Sequence, residues 1–201
     1  MSRSVDATPS SKTPSRVEHE ATAAMPIFVA YVKVEELDGV ASVSPAPFEE
    51  ATFTIDAKNG MSDEVRRGVT IAPADENDIA GSRGVANLVL RFDDSKEQAS
   101  CSCLSAADYT TRFKKKKAAL KETPRPVTDA DAGEWVPFLA FEARGMDVVA
   151  LTLGVDDVVV TSSGGAVITG VDLGDGDWAD YDEAAGCSVS LTGVETKVER
   201  V

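Results

Sequence analysis

The chain is built from short segments in which apolar and polar residues alternate, separated by Gly, Pro, Asp and Asn. Alternation with a period of two is typical of half-buried strands, and Gly, Pro, Asp and Asn mark the turns between strands. The pattern predicts ten strands in two series, at 27–34, 51–57, 66–72, 85–92 and 99–105, then at 136–143, 147–153, 156–162, 165–172 and 187–194. No βαβ spacing is present. We therefore expect an all-β, mainly antiparallel β-sandwich-like fold with at most one or two short helices.

One short helix is predicted between the two series. Ser105 and Asp108 have the spacing of a capping box, which satisfies free N–H groups at a helix start. Four consecutive lysines at 114–117 would lie in this helix or just after it. We interpret them as a solvated surface feature rather than a localisation or binding signal. Pro124 and Pro126 then end any helix.

The composition changes near residue 25. Residues 1–24 are rich in Ser, Thr, Pro and Ala without apolar periodicity, which is typical of a disordered extension. Residues 25–201 are predicted to form a single β-rich domain, with halves at about 25–105 and 135–201 and a linker at 106–134. Both halves begin alike, with "IFVAYVKVEELDGVASV" and "PFLAFEARGMDVVALTL", which suggests two pseudo-repeats.

The chain is strongly acidic, with 20 Lys and Arg against 34 Asp and Glu and a net charge of -14. The negative electrostatic field of such a chain repels the phosphate backbone of nucleic acids, so a nucleic-acid partner is disfavoured. A basic protein partner is favoured instead. No apolar run approaches the roughly 18 to 20 residues that span a bilayer. Three cysteines, an odd number, fit a reducing compartment. We expect a soluble cytoplasmic protein, a monomer, without membrane contact.

Histidine and cysteine chemistry is restricted by the sequence. The one histidine, His19, lies in the predicted extension, which excludes Ser-His-Asp and Cys-His catalysis and zinc sites containing histidine. Cys101 and Cys103 would point to one face of a strand as small apolar residues. Joined by Cys187 they would make a three-thiolate site, but no fourth partner has a recognisable spacing.

The stretch "GDGDWADYDE" at 174–183 holds five acids, a Trp and a Tyr. It fails the EF-hand template, because Asp175 and Asp177 fit positions one and three while Ala179 takes position five and Asp180 the glycine position. A dedicated calcium loop is not expected.

Two interpretations of this stretch remain open. Asp180 and Asp182 could form an acid/base pair, or could serve as acceptors in Asx turns, which is the commoner role of Asp in Gly-rich segments. In the structural interpretation, Trp178 and Tyr181 are packed anchors.

Three segments together resemble a known family. "IAGSRGVANLVL", "FEARGMD" and "GDGDWADYDEAAGCSVSL" are similar to the eukaryotic CXXC-motif-containing zinc-binding proteins, over residues 25 to the C-terminus. The residues that carry the resemblance, which we expect to be structural, are Arg83, Gly84, Arg144, Gly145, Trp178, Asp180, Tyr181 and Asp182.

The resemblance implies a small β-rich fold with one zinc held by four cysteines in two C-x-x-C pairs. The first pair should follow "FTIDA", where this chain has Ala57 and Gly60, and the second should follow "VANLVLR", where it has Phe92 and Ser95. With no thiolate left there is no reason for zinc to stay, so we predict a metal-free member without a cofactor. Phe92 would fill the former metal corner.

The leading functional hypothesis is a non-enzymatic protein-interaction module with an unknown partner, either basic or, as the resemblance implies, a metal-handling protein. One alternative is a metal-binding protein that uses the three cysteines or the acids Asp175, Asp177, Asp180 and Asp182. A second is an enzyme with a carboxylate site near Trp178, Asp180 and Asp182, with Arg144.

Overall fold

The structure, a computed structural model, describes residues 25–116 and 122–201, with the side chains of 114–116 left out. Its α-helix is α1 (Ala106–Lys116), and a 3-10 helix covers Asp129–Asp131. The strands in chain order are β1 (Ile27–Lys33), β2 (Glu36–Asp38), β3 (Val40–Pro45), β4 (Phe53–Asn59), β5 (Val65–Ile71), β6 (Asn77–Asp78), β7 (Val85–Ala86), β8 (Leu88–Arg91), β9 (Gln98–Leu104), β10 (Val127–Thr128), β11 (Val136–Arg144), β12 (Met146–Thr152), β13 (Val158–Ser162), β14 (Val167–Ile168), β15 (Trp178–Asp182), β16 (Cys187–Thr192) and β17 (Glu195–Arg200).

The strands form five sheets, and every described pairing is antiparallel. This confirms the predicted all-β fold class. The strand orders are β17-β1-β11-β9-β8, β10-β3-β13-β14, β12-β4-β5, β15-β16-β2 and β6-β7.

The main core lies between the sheets. In β4 the buried residues Phe53, Ile55 and Ala57 alternate with half-buried ones, as the period of two predicts. β11 is buried at its first eight positions because sheet neighbours flank it and both of its faces are covered. A second cluster, with Tyr109 and Phe113 of α1, packs against Ile27, Val29, Leu104 and Ala140. The five-stranded sheet therefore lies between the main core and α1.

The two halves are interleaved by reciprocal strand pairing. β1 and β11, which begin the halves, pair with each other, and each also pairs with the last strand of the other half, β17 or β9. β4 of the first half pairs with β12 of the second, and β13 of the second pairs with β3 of the first. The likeness of the two opening segments therefore corresponds to matching places in the sheets.

The helix begins where the capping box predicts. Asp108 N–H donates to Ser105 Oγ at 3.1 Å, and the Ser105 hydroxyl donates to Asp108 Oδ2 at 2.6 Å. After α1, Arg125 makes a bidentate ion pair with Asp131 at 2.7 and 2.8 Å, which together with the Thr128 bonds holds the pKa of Asp131 well below its usual range. Part of the predicted linker is therefore ordered by its own contacts.

Several strand predictions need correction. The predicted strand at 165–172 shortens to β14, because Gly165 and Gly170 have φ of 89° and 74° and turn the chain. Six strands lie outside the predicted ones: β2, β6 and β10 have only two or three residues, β15 and β17 are exposed or half-buried at all positions but Asp182, and β3 lacks strict alternation.

Some predictions fall on residues whose structure is not described. The disordered extension at 1–24 lies outside the described residues, as do Lys117 and the side chains of the three lysines before it. Within the described part, α1 has 11 residues, and no helix there is long and apolar enough to cross a bilayer.

Candidate functional site

Two loops meet where the resemblance places the missing zinc ligands. Ala57 and Gly60 belong to the end of β4 and the loop to β5, and Phe92 and Ser95 belong to the loop between β8 and β9. Both loops line one surface pocket of about 480 Å³, together with Arg144 and Gly145. We call residues 57–66, 92–97 and 144–145 the loop corner.

The floor of the loop corner is apolar. Phe92 is 1% exposed and Ala57 is 0% exposed, and both belong to the main core cluster. The guanidinium carbon of Arg66 lies 5.9 Å from the centre of the Phe92 ring. The aromatic side chain of Phe92 is therefore packed into the core.

Polar contacts join the two loops above this floor. Glu64 accepts the N–H of Asp93 at 3.1 Å on Oε1 and the N–H of Asp94 at 3.2 Å on Oε2. Arg66 Nη2 donates to Asp93 Oδ1 at 2.8 Å, and Asn59 Nδ2 donates to Asp94 Oδ1 at 2.6 Å. Hydrogen bonds, first from Ser62, lower the pKa of Asp94 below its usual value.

The turn at Gly145 closes the third side of the loop corner. Gly60 N–H donates to Gly145 O at 3.2 Å, and Gly145 has φ of 73°, which side chains rarely adopt. A Cβ on Gly145 would also lie 3.4 Å from the Cα of Ala99. The signature residues Arg144 and Gly145 therefore lie beside the ligand positions.

The residues present at the loop corner do not fit a zinc ion. Ala57, Gly60 and Phe92 have no metal-binding atom, and the Ser95 hydroxyl lies 3.2 to 3.3 Å from backbone atoms of Glu97. Among the residues whose side chains are described, no group of three or more His, Cys, Asp or Glu is arranged to hold a metal. Tetrahedral zinc sites need four donors such as thiolate or imidazole.

The three cysteines lie in two different sheets. Cys101 and Cys103 are on β9, paired with Ala143 and Phe141 of β11, while Cys187 is on β16 opposite Asp182. Burial raises the pKa of the Cys103 thiol to about 12 and raises that of Cys101 as well. Cys101 and Cys103 therefore behave as the small apolar residues that the strand pattern predicts.

Arg83 and Gly84 belong to an exposed turn between β6 and β7. Gly81 has φ of 74°, as expected for a glycine turn, and Gly84 N–H donates to Ser82 Oγ at 3.1 Å. Ala80 N–H donates to the side chain of Gln98 at 3.0 Å, which ties this turn to the start of β9. Gln98 also lines the pocket at the loop corner.

The acidic stretch forms an edge strand. Asp182 is 2% exposed and accepts the Ser162 hydroxyl and the N–H groups of Ala184 and Ala185, both at 2.9 Å. These bonds, first that of Ser162, lower the pKa of Asp182. The carboxylate is thus a turn acceptor, and its hydrogen bonds stabilise the charged form needed for that role.

Tyr181 is not a packed anchor, and that expectation was wrong. It is 54% exposed because alternation along β15 turns it away from the face of Trp178, which packs partly on the core. Asp180 is exposed and accepts the N–H of Tyr181 at 2.8 Å. Among the ion pairs of the described residues, none joins Arg144 to this stretch.

The sequence matches a known protein family over most of its length. The model of the eukaryotic family "CXXC motif containing zinc binding protein" matches residues 31–199. The chain belongs to this family. Its sequence contains no C-x-x-C, so the motif that gives the family its description is absent here.

Two solved structures share the fold. A hypothetical protein from Plasmodium falciparum is 20% identical, with a TM-score of 0.71 over 87% of this chain and 100% of its own. C1orf123 is 21% identical, with a TM-score of 0.72 over 87% of this chain and 99% of its own. None of the curated proteins gives a significant match.

The residues that join the loops were missed by sequence reasoning. Glu64 lies 29 and 30 positions from the amides that it accepts, and no local spacing rule connects such residues. The one available signal is that each loop carries adjacent acids, in "SDE" and "FDDS".

Proposed function

We propose that this chain is a non-enzymatic, metal-free member of its family, a cytoplasmic interaction module that binds a basic, extended protein segment along the outer edge of β15. The observation that carries the proposal is the position of β15 at the end of the order β15-β16-β2. An edge strand presents free backbone groups, and extended peptides add to such edges as a further strand.

The charge distribution supports a basic occupant. Residues 145–196 contain ten Asp and Glu and no Lys, Arg or His, although the whole chain has 20 Lys and Arg. Around the edge strand, Asp175, Asp177, Asp180 and Glu183 are exposed. Complementary charge speeds encounter and excludes wrong partners, and it leaves nucleic acid disfavoured.

The exposed side chain of Tyr181 offers the partner an aromatic contact in addition to the charged ones. Tyr181 is 54% exposed on the same strand, next to Asp180. Tyrosine is enriched at protein interfaces, where its ring gives contact area and its hydroxyl a hydrogen bond. We expect lysine or arginine side chains of the partner to flank it.

The test uses a defined probe, a twelve-residue peptide of alternating Lys and Val, and measures its affinity for the full chain by calorimetry. The edge variant carries D175N, D177N, D180N and E183Q. The matched control removes four exposed acids elsewhere, with E49Q, E50Q, D75N and E76Q. We expect the edge variant to lose most of the binding, the control to retain it, and added salt to weaken it.

Equal affinities for the two variants would contradict the proposal, because the peptide would then respond only to net charge. A third variant, Tyr181→Ala, separates the aromatic contact from the charges. Affinity capture from native lysate with the wild-type and edge-variant chains would then identify the natural partner.

A further inference from the structure

The two loops of the loop corner must be held together by some set of contacts, whether or not a partner binds elsewhere. The resemblance to the family implies that one zinc ion would join these two loops, whereas the residues here do not fit zinc. The loops still lie together over Phe92, so other contacts must offset the entropy of fixing two exposed loops. Four polar contacts cross between them, and two of these involve the carboxylate of Glu64.

We propose that Glu64 clamps the loop corner in place of a metal ion, by accepting the consecutive N–H groups of Asp93 and Asp94 with its two oxygens. This inference does not rest on the proposed partner binding. Consecutive backbone N–H groups that converge on one anion are a recurrent anion-binding arrangement. Hydrogen bonds to a carboxylate are stronger than neutral ones, although these two, at 3.1 and 3.2 Å, are at the long end of the usual range.

Arg66 and Asn59 offset the repulsion between the carboxylates at the loop corner. Glu64 lies near the carboxylates of Asp93 and Asp94, and three like charges would repel one another. Arg66 donates to Glu64 at 3.3 Å and to Asp93 at 2.8 Å, and Asn59 donates to Asp94. One guanidinium and one amide therefore hold the acids together.

Burial makes Glu64 the central member of this network. Its side chain is 21% exposed, compared with 37% for Arg66 and 93% for Asp93. Exposed ion pairs contribute little because water screens them, so the Arg66–Asp93 pair is the weaker contact. The loops are therefore expected to depend more on Glu64 than on Arg66.

The direct test is amide hydrogen exchange followed by NMR on the full chain. In wild type the amides of Asp93 and Asp94 should be protected. The exchange of these two amides should become at least about tenfold faster in Glu64→Gln, which retains one acceptor oxygen, and in Glu64→Ala, which retains none. The increase should be larger in Glu64→Ala. The amides of Val29 and Phe141 in the central sheet should remain unchanged, which shows that the variants fold.

The control is Glu97→Gln, which removes an exposed acid on the same loop and should leave exchange and melting temperature unchanged. Wild-type melting should also be unaffected by EDTA or by added Zn²⁺ or Ca²⁺. Unchanged exchange of Asp93 and Asp94 in Glu64→Ala would overturn the proposal. A rise in melting temperature with either cation that Glu64→Gln abolishes would do so as well, because it would make the acids of the loop corner a metal site.

Discussion

Replacing Phe92 with alanine should destabilise the chain more than any other single change at the loop corner. The side chain is 1% exposed and belongs to the main core. Phe→Ala at such sites costs about 3–5 kcal/mol, from lost transfer free energy and the cavity left behind. Loss of the partly exposed Arg66 contact adds about 0.5 kcal/mol. The sum is a large fraction of the roughly 5–15 kcal/mol by which proteins are stable.

The assay is urea unfolding followed by the fluorescence of Trp135 and Trp178. Phe92→Leu, which keeps most of the volume, should cost less than about 1.5 kcal/mol. Phe48→Ala is the matched control, because Phe48 is only partly buried, at the edge of the Phe53 ring with centroids 6.3 Å apart. A cost for Phe92→Ala below about 1 kcal/mol, or no larger than that of Phe48→Ala, would refute the role of Phe92 as the apolar floor.

Three further results are expected. The Arg125 guanidinium lowers the pKa of Asp131, so the stability that this ion pair contributes to the fold is present above the ordinary carboxyl pKa and is lost as the pH falls through the folded value. Below about pH 4 the melting temperature of Asp131→Asn should therefore fall less than that of wild type. Cys101, which is buried and whose thiol has a raised pKa, should react with Ellman's reagent at pH 8 only after urea is added, and fast reaction of all three thiols in the native state would contradict its burial. Gly145→Ala should cost about 1–2 kcal/mol in urea unfolding because of its positive φ, whereas Gly84→Ala should cost less, because the φ of Gly84 is not positive and its Cβ would meet only Ser82 Oγ, at an ordinary contact distance of 3.5 Å.

Apart from β11, which is buried almost throughout, several strands that sequence reasoning found have alternating burial. β4 is an example, since every second residue faces the core and the pattern is visible without knowledge of the partner strand. The helix was equally accessible, because Ser105 and Asp108 act within one turn. These features depend on residues a few positions apart, which is the range over which sequence patterns carry structural information.

The strand β15 could not be predicted in the same way. Asp180 and Asp182 are poor strand formers, and four of its five residues are exposed or half-buried. It is a strand because it pairs with β16, from Trp178 opposite Leu191 to Asp182 opposite Cys187. Tertiary pairing overrides local propensity here, and the exposure of Tyr181 follows from a register that the sequence does not contain.

The candidate sites likewise have features that sequence reasoning could predict and features that it could not. The resemblance to the family implied the positions of the missing ligands, at the end of β4 and on the loops after β4 and β8, because those positions lie beside recognisable strands. The clamp at Glu64 and the turn at Gly145 depend on segments brought together by the sheets. Only the strand order β12-β4-β5 and the pairing of β8 with β9 make that meeting visible.

Metal analysis tests most directly whether this family member holds its fold without zinc. The full chain, purified without chelators and dialysed against metal-free buffer, should contain well below one zinc per chain by plasma mass spectrometry. Its melting temperature should be unchanged by EDTA. One zinc per chain that survives dialysis, with a melting temperature that falls on chelation, would contradict the account.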